Sequence, residues 1–105
     1  MQLASGVEIP YERLEAFSRK WDLTEVALFG SIVTDHFRPD SDVDVLVTFS
    51  PSSTATLFAM VHMREELEEI FGRKVDLLTR AGVERSRNYI RRKAILESAR
   101  TIYAA

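Results

Sequence analysis

Three aspartates stand in segments whose other residues favour β-strands. Asp42 and Asp44 alternate with Val43 and Val45 in DVDVLVTF, and Asp76 lies in KVDLLT. Successive side chains of a strand point to opposite faces, so we expect Asp42 and Asp44 on one face, with their Cα atoms about 6–7 Å apart. Carboxylates held this close repel each other unless a cation neutralises them. Because Mg²⁺ and Mn²⁺ prefer oxygen ligands, these acids predict a site for a divalent ion.

Asp76 extends this site if its strand lies beside the strand that carries Asp42 and Asp44. An unpaired carboxylate in an apolar strand is costly. Three grouped carboxylates can hold two ions about 3.5–4 Å apart, the spacing used for in-line phosphoryl displacement. We therefore predict that all three aspartates are catalytic and bind metal. The alternative is structural: Asp42 begins a strand, and the other two are solvated on an exposed sheet face.

A Gly-Ser pair stands where a first strand should end. Gly30 would let the backbone approach a ligand closely and adopt a positive φ. Ser31 supplies a hydroxyl and a good N-cap, and with the next amides it begins a possible helix whose N-terminus favours anions. Both residues are thus candidates for binding the β- and γ-phosphates of a nucleoside triphosphate. The same pair would also serve as an ordinary strand-to-helix turn.

The elements that must position these residues alternate between helix and strand patterns. Apolar residues at steps of three and four predict helices over about 10–21, 54–71 and 84–103, and Gly72 is placed to end the second. β-Branched and apolar runs predict strands over about 24–29, 42–49 and 73–79. This order indicates an α/β fold in which helices pack on a small sheet of three strands, with space for a short fourth.

Composition restricts the class of protein. The 105 residues suffice for one domain, 1–105, with a modest core. The sequence contains no cysteine, which removes disulfides and thiolate metal sites. No apolar run approaches the roughly 18 residues needed to span a bilayer, and the N-terminus lacks the pattern of a signal peptide. We therefore expect a cytoplasmic protein that makes no membrane contact.

Charge is unevenly distributed along the chain. Residues 1–79 hold 7 Lys/Arg and 14 Asp/Glu, whereas residues 80–105 hold 7 and 2. The basic C-terminal segment suits contact with phosphate, nucleic acid or an acidic protein face, or it is a solvated helix face that balances the acidic body. Only Tyr89 lies among its arginines, so the interleaved aromatics of single-strand binders are missing. We therefore do not expect nucleic acid as the main partner.

Together these residues resemble a known family. Gly30-Ser31, ten further residues and Asp42-Val43-Asp44 reproduce the signature of the DNA polymerase β-like nucleotidyltransferase superfamily, and Asp76 stands where that superfamily has its third carboxylate. The small size and the segments RPDSDVDVLVTF and RNYIRRKAILESARTIY are similar to those of the minimal nucleotidyltransferases, the MNT proteins. The resemblance covers about residues 10–103 and implies a mixed sheet of three to four strands flanked by helices.

The resemblance also implies an activity. Gly30 and Ser31 would bind the phosphates of ATP, Asp42 and Asp44 would ligate two Mg²⁺ ions, and Asp76 would ligate the catalytic ion and assist deprotonation of the attacking hydroxyl. MNT proteins often act as antitoxins of HEPN-domain toxins, and some transfer AMP from ATP to a tyrosine of the toxin. We therefore expect a protein adenylyltransferase with a HEPN toxin as partner, in either a homo- or a hetero-oligomer.

One departure from the family leaves other functions open. Many MNT proteins continue the Gly-Ser pair with an Arg-x-Arg-Gly sequence, whereas Ile32-Val33-Thr34-Asp35 follows here. A basic side chain beside the triphosphate is therefore missing, unless Arg38, Arg73, Lys74 or a residue of the C-terminal helix replaces it. The alternatives are a binding-only antitoxin with weak catalysis, against which the three costly acids argue, and a nucleic-acid-binding module that uses the basic C-terminal helix.

Overall fold

A proline and a glycine bracket the first helix and strand. The computed structural model describes residue 3 and residues 5–105. Pro10 directly precedes α1, Tyr11–Lys20, where its missing N–H costs no helical hydrogen bond. β1 follows as Leu23–Phe29 and ends at Gly30. The predicted boundaries of both elements lie within one residue of the observed ones.

A parallel crossover joins the two strands that follow. β2 is Val43–Phe49, β3 is Val75–Thr79, and α2, Leu57–Phe71, connects them. Parallel neighbours cannot be joined by a tight turn, so an intervening helix is needed. Gly72 ends α2 with a φ of 67°, and its N–H donates to the carbonyl oxygen of Glu68 at 2.8 Å. The predicted end of this helix is confirmed.

The prediction of a single helix over 84–103 is wrong. The chain forms α3, Arg80–Glu84, then α4, Tyr89–Ser98, and then β4, Arg100–Ala104. Ala99 has an extended backbone with φ −62° and ψ 130°, so α4 ends there. The apolar residues of 95–103 recur at helical spacing, but the last of them belong to a β-branched and aromatic run that favours a strand. β4 pairs with the edge of β1, whose backbone groups would otherwise be unpaired.

The four strands form one mixed sheet in the order β3-β2-β1-β4. β1 is antiparallel to β2 and to β4, and β2 is parallel to β3. The predicted fold class, a small mixed sheet flanked by helices, is confirmed. Because β2 lies between β1 and β3, each of its side chains has neighbours from two other strands.

The two faces of the sheet carry different apolar clusters. The larger cluster joins one face to α1 and α2 and includes Val43, Val45 and Val47 of β2. The smaller cluster joins the opposite face to α3 and α4 and includes Leu46. Since side chains alternate along a strand, Asp44 lies on the same face as Leu46. β2 therefore buries its three valines on one face and presents a carboxylate on the other.

The helix α2 is amphipathic along its length. Met63 and Leu67 are fully buried, whereas Glu65 and Glu69 on other sides of the helix are exposed. This distribution is typical of a helix that covers a sheet. Over the described residues, no helix combines the length and apolar character needed to cross a membrane.

The C-terminal strand can be tested with a matched pair of substitutions. Ile102 of β4 is 5% exposed, whereas Ile90 of α4 is 79% exposed. We expect Ile102→Ala to lower the free energy of unfolding by about 2–4 kcal/mol, because it leaves a cavity in the larger cluster. Ile90→Ala should change it by less than about 0.5 kcal/mol. Urea denaturation followed by circular dichroism measures both, and equal small effects would mean that β4 does not close the core.

Candidate active site

β2 and β3 bring two of the predicted aspartates side by side. Asp44 and Asp76 are direct partners in the parallel ladder, so they point to the same face with their strands about 4.8 Å apart. Asp42 lies just before β2, and its charge acts on Asp44. Asp42 and Asp76 are exposed, whereas Asp44 is half-buried. The fold therefore gathers all three carboxylates at one end of the face that carries the smaller cluster.

The backbone at Gly30 approaches Asp44 directly. Gly30 has a φ of 75° and begins a single 3₁₀ turn, Gly30–Val33. A Cβ atom at this position would lie 2.2 Å from Oδ2 of Asp44, which is far inside van der Waals contact. Glycine satisfies both the positive φ and this close approach. The sequence predicted an approach to a ligand, and the group that is approached here is a carboxylate of the site itself.

Ser31 lies within this turn, and the prediction that it caps a helix is wrong. The position before the turn is Phe29, and no side chain caps it. The carbonyl oxygen of Ser31 accepts the N–H of Thr34 at 3.0 Å and its hydroxyl at 2.8 Å, which closes the turn after four residues. Among the described residues the Ser31 hydroxyl has no hydrogen-bond partner, so it is available to a ligand.

Burial and like charges oppose the ionisation of Asp44. Desolvation has the largest effect, the charges of Asp76 and Asp42 add to it, and together they raise the pKa of Asp44 to about 6. The cationic side chain of Arg91 acts in the opposite direction. A carboxylate that is destabilised by burial and by other carboxylates is stabilised by a divalent cation. The electrostatics of this position therefore favour a bound metal ion.

The donor set suits such an ion, although the side chains are not closed around one. Carboxylate oxygens are the ligands that Mg²⁺ prefers. In the part of the chain that the structure describes, no three His, Cys, Asp or Glu side chains are close enough to hold one ion as they stand. Asp42 and Asp76 form no ion pair with a described residue, and both are exposed. Rotation of these two side chains toward Asp44 would complete the ligand set.

Arg73, one of the basic residues considered as a replacement for the missing loop arginine, is already engaged. Its Nη1 donates to the carbonyl oxygens of Arg38 at 3.2 Å and Pro39 at 2.6 Å, and its guanidinium lies over the ring of Phe37. Arg73 therefore fastens the turn that leads into β2. Its role is to position that strand, and its charge is not directed at the carboxylates.

Arg91 is a basic side chain whose charge acts on Asp44; the sequence analysis allowed a residue of the C-terminal helix for this role but did not single out Arg91. It lies in the first turn of α4, whose N-terminus is capped by Asn88. α4 packs against the Gly30–Val33 turn, and this contact carries Arg91 toward Asp44. The only sequence signal was the excess of positive charge over residues 80–105, which does not distinguish one arginine from another.

The sequence is similar to nucleotidyltransferases over nearly its whole length. The family described as the nucleotidyltransferase domain matches residues 11–101. This chain belongs to that family. It is therefore a nucleotidyltransferase, and the predicted resemblance to the minimal nucleotidyltransferases is confirmed by the likeness to a solved structure described as one of them.

Two archaeal relatives carry names that describe an activity. A Methanocaldococcus jannaschii protein, named provisionally as a protein adenylyltransferase, is 30% identical over 76 residues, which are 72% of this chain and 76% of the relative. Protein adenylyltransferase MntA of Thermococcus cleftensis is 32% identical over 65 residues, which are 62% of this chain and 64% of MntA.

Several solved structures share the fold. A structure described provisionally as a minimal nucleotidyltransferase has a TM-score of 0.65 at 27% identity and covers 86% of each chain. A toxin–antitoxin crystallised with AMP-PNP has a TM-score of 0.69 at 16% identity, over 91% of this chain and 74% of the other. A complex of tri-AMPylated Shewanella oneidensis HEPN toxin with MNT antitoxin has a TM-score of 0.61 at 18% identity, over 90% of this chain and 70% of the other.

Substitution of two glycines with similar backbone angles separates strain from collision. Gly30 and Gly72 have φ of 75° and 67°, but a Cβ on Gly72 meets nothing within 4 Å. We expect Gly72→Ala to lower the free energy of unfolding by about 1–2 kcal/mol through backbone strain. Gly30→Ala should lower the free energy of unfolding by about 1–3 kcal/mol more than Gly72→Ala does, because the new methyl group displaces Asp44.

A second substitution tests the cause of the difference. Asp44→Ala in the Gly30→Ala background should recover most of the excess loss, since it removes the group with which the methyl collides. Urea denaturation of the wild type, Gly30→Ala, Asp44→Ala and the double variant gives the coupling energy between positions 30 and 44. If both alanine variants cost the same, Gly30 is not held against Asp44.

The raised pKa of Asp44 predicts how stability depends on pH. The folded pKa is about 6 and the unfolded value is about 3.9, so between these values the folded state binds more protons than the unfolded state. The contribution of Asp44 to stability is therefore complete below about pH 4 and is lost as pH rises through about 6. Asp44→Asn should remove this component in protein stripped of divalent ions.

Carboxyl-carbon NMR of Asp44 measures the pKa directly. Asp76→Asn should lower it, because one of the like charges is removed, whereas Asp40→Asn in the exposed turn should leave it unchanged. A pKa near 4 for Asp44 in the metal-free protein would contradict this electrostatic account.

Proposed function

We propose that this nucleotidyltransferase transfers AMP from ATP, with Mg²⁺, to a tyrosine hydroxyl of a HEPN-type toxin and thereby acts as its antitoxin. The observation that carries the proposal is the position of Asp44, beside Asp76 on the next strand and beneath the Gly30 turn. The names of the archaeal relatives support protein as the acceptor. The fold shared with an MNT antitoxin bound to an AMPylated HEPN toxin supports the choice of partner.

The three aspartates are the proposed ligands of Mg²⁺. Asp42 and Asp44 would hold both ions, and Asp76 would join the ion beside the acceptor hydroxyl. Bound Mg²⁺ would offset the charge of the phosphates and make the α-phosphorus more electrophilic. Three carboxylates on one sheet face are enough ligands for a site with two ions, the remaining positions being taken by phosphate oxygens and water.

The chain's own groups would perform the remaining steps. The backbone of the Gly30–Val33 turn and the free hydroxyl of Ser31 would hold the β- and γ-phosphates. The tyrosine oxygen forms a bond to the α-phosphorus as the bond from that phosphorus to the bridging oxygen of the β-phosphate breaks, and pyrophosphate leaves. The carboxylate of Asp76 accepts the hydroxyl proton, and its exposure leaves it accessible to an incoming protein side chain.

Exposed apolar side chains at the start of α4 support a protein acceptor. Ile90 and Tyr89, which directly precede Arg91, are 79% and 60% exposed. Large apolar side chains left in solvent are typical of surfaces that bind other proteins. The cytoplasm, which holds the cellular ATP pool, is the proposed location of the reaction.

A binding-only antitoxin is the second candidate, and one feature of the turn favours it. The residues that follow Gly30-Ser31 in the turn are apolar or acidic, so the turn itself offers no cation to the phosphates. Such a protein would bind the toxin and mask it with little chemistry. The grouped carboxylates favour the enzymatic function, because binding alone does not require a half-buried acid whose ionisation is opposed.

Transfer of label from ATP distinguishes these functions. The purified chain is incubated with Mg²⁺, ATP labelled at the α-phosphate and the HEPN-type protein from the same genome. We expect label on a tyrosine of the partner. Asp44→Asn should reduce the rate by about 100- to 1,000-fold, since the metal contributes several kcal/mol to the barrier. Asp40→Asn, which removes an exposed carboxylate outside the site, should keep the wild-type rate.

Other results select other functions. Toxin neutralisation without label on the partner, unaffected by Asp44→Asn, indicates the binding-only antitoxin. A salt-sensitive RNA complex that Asp44→Asn does not change indicates a nucleic-acid-binding module. Label transfer that persists in Asp44→Asn, or in the presence of a chelator, contradicts the assignment of the carboxylates.

A further inference from the structure

A cavity lies against the edge strand β3, which carries Asp76. Its volume is about 390 Å³, and residues of β3, α3 and α4 form most of its wall, with Met60 of α2 at one side. Leu77 and Leu78, which line it, directly follow Asp76 along β3. The volume falls within the range of roughly 300–1,000 Å³ that is typical of small-molecule sites. The cavity therefore borders the part of β3 that directly follows the proposed metal ligand Asp76.

The wall combines apolar surface with a few polar groups. Leu78, Val83 and Ile95 form part of the apolar surface, and Thr79 and Ser86 add hydroxyls. The hydroxyl oxygens of Thr79 and Ser86 each accept a backbone N–H, so their protons remain free for donation to a ligand. No acidic side chain is among the lining residues. Such a wall suits a planar ring with hydrogen-bond acceptors, which describes a nucleobase.

Two arginines line this cavity, and they differ in their partners. Nη1 of Arg92 donates to the carbonyl oxygen of Ser86 at 3.1 Å, and its guanidinium lies over the ring of Tyr89. The guanidinium of Arg91 has no hydrogen bond or ion pair with any described residue, yet it lines the cavity and its charge reaches Asp44. A guanidinium without a partner can bind a phosphate group through two parallel hydrogen bonds.

We propose that this cavity binds the nucleoside of the nucleotide co-substrate, and that Arg91, at its border with the aspartates, binds the phosphates. This inference rests on the proposed function. It also provides the cation that the Gly30–Val33 turn lacks, because α4 packs against this turn and the charge of Arg91 acts on Asp44. The nucleotide would then extend from the cavity, past Arg91, to Asp42, Asp44 and the turn.

Charge favours a nucleotide over the acceptor tyrosine as the occupant. The lining holds two cationic side chains and no carboxylate, which suits a ligand with several negative charges. A tyrosine side chain is neutral and would leave the guanidinium of Arg91 without a partner. The acceptor therefore approaches from the exposed side of Asp76.

Binding of Mg²⁺ with AMP-PNP, measured by isothermal titration calorimetry on the isolated chain, tests Arg91. We expect Arg91→Gln to weaken binding by about 10- to 100-fold, the usual effect of losing a charge-assisted hydrogen bond. Lys93→Gln is the matched control, because Lys93 is exposed on the same helix and lies outside the lining of the cavity. It should change the affinity by less than about twofold. Inorganic tripolyphosphate should lose affinity for Arg91→Gln in the same way.

A bulky residue at the cavity tests the nucleoside half of the proposal. Ser86→Phe should weaken AMP-PNP by at least about tenfold because it fills the space for the base, while tripolyphosphate should bind as before. Urea denaturation establishes that the variant is folded. NMR of the wild-type chain gives a second measurement that needs no substitution: adenosine alone should shift the amide signals of Thr79, Val83 and Ser86.

The outcomes separate failure of this inference from failure of the proposed function. If Asp44→Asn abolishes binding of Mg²⁺ with AMP-PNP while Arg91→Gln and Ser86→Phe do not weaken it, the inference is overturned and the function stands. If Ser86→Phe slows AMP transfer at saturating ATP without weakening AMP-PNP, the cavity holds the acceptor, which also overturns the inference. If AMP-PNP binding requires neither Mg²⁺ nor Asp44, both the proposed function and the inference that rests on it fail.

Discussion

The confinement of Asp44 is the constraint on which the rest of the molecule depends. Its carboxylate lies beneath the backbone of Gly30, beside Asp76 and near Asp42, in a half-buried position. Burial and the charges of Asp76 and Asp42 make ionisation less favourable, and the pKa of Asp44 rises to about 6. A protein that served only to fold would gain stability by replacing such a group. A site that must bind a divalent cation gains affinity from the same arrangement.

The fold makes this confinement possible through strand register. β2 alternates Val43, Val45 and Val47 toward the larger cluster with Asp44 and Leu46 toward the smaller one. The period of two means that a slip of one residue between β2 and β3 would move a carboxylate into the apolar layer. The α2 crossover and the buried valines fix the register. The stability of one face of the sheet therefore sets the geometry of the carboxylates on the other.

Much of this arrangement could be predicted from the sequence, and the failures have physical causes. Alternation placed Asp42 and Asp44 together, the positive φ expected at Gly30 is observed, and Gly72 ends α2 as predicted. The C-terminal segment was predicted as one helix because its apolar spacing is compatible with 3.6 residues per turn. The pairing of 100–104 with β1 is a long-range interaction that local periodicity does not encode.

The contribution of Arg91 was hidden for a related reason. Five arginines lie between residues 80 and 92, and nothing in their local sequence distinguishes them. Packing of α4 against the Gly30–Val33 turn gives one of them a position near the carboxylates, while Arg80 pairs with Glu25 at 2.8 Å and Arg92 with Tyr89. Only tertiary contacts separate the arginines that stabilise the fold from the one that faces the site.

The most direct test of the central claim is the carboxyl-carbon NMR titration of Asp44 at saturating Mg²⁺ and AMP-PNP. If the three aspartates hold the metal, the pKa of Asp44 should fall from about 6 to below about 4, because a bound cation stabilises the carboxylate. A pKa that remains near 6 while the nucleotide is bound would show that Asp44 is not a ligand, and the account of the active site would be wrong.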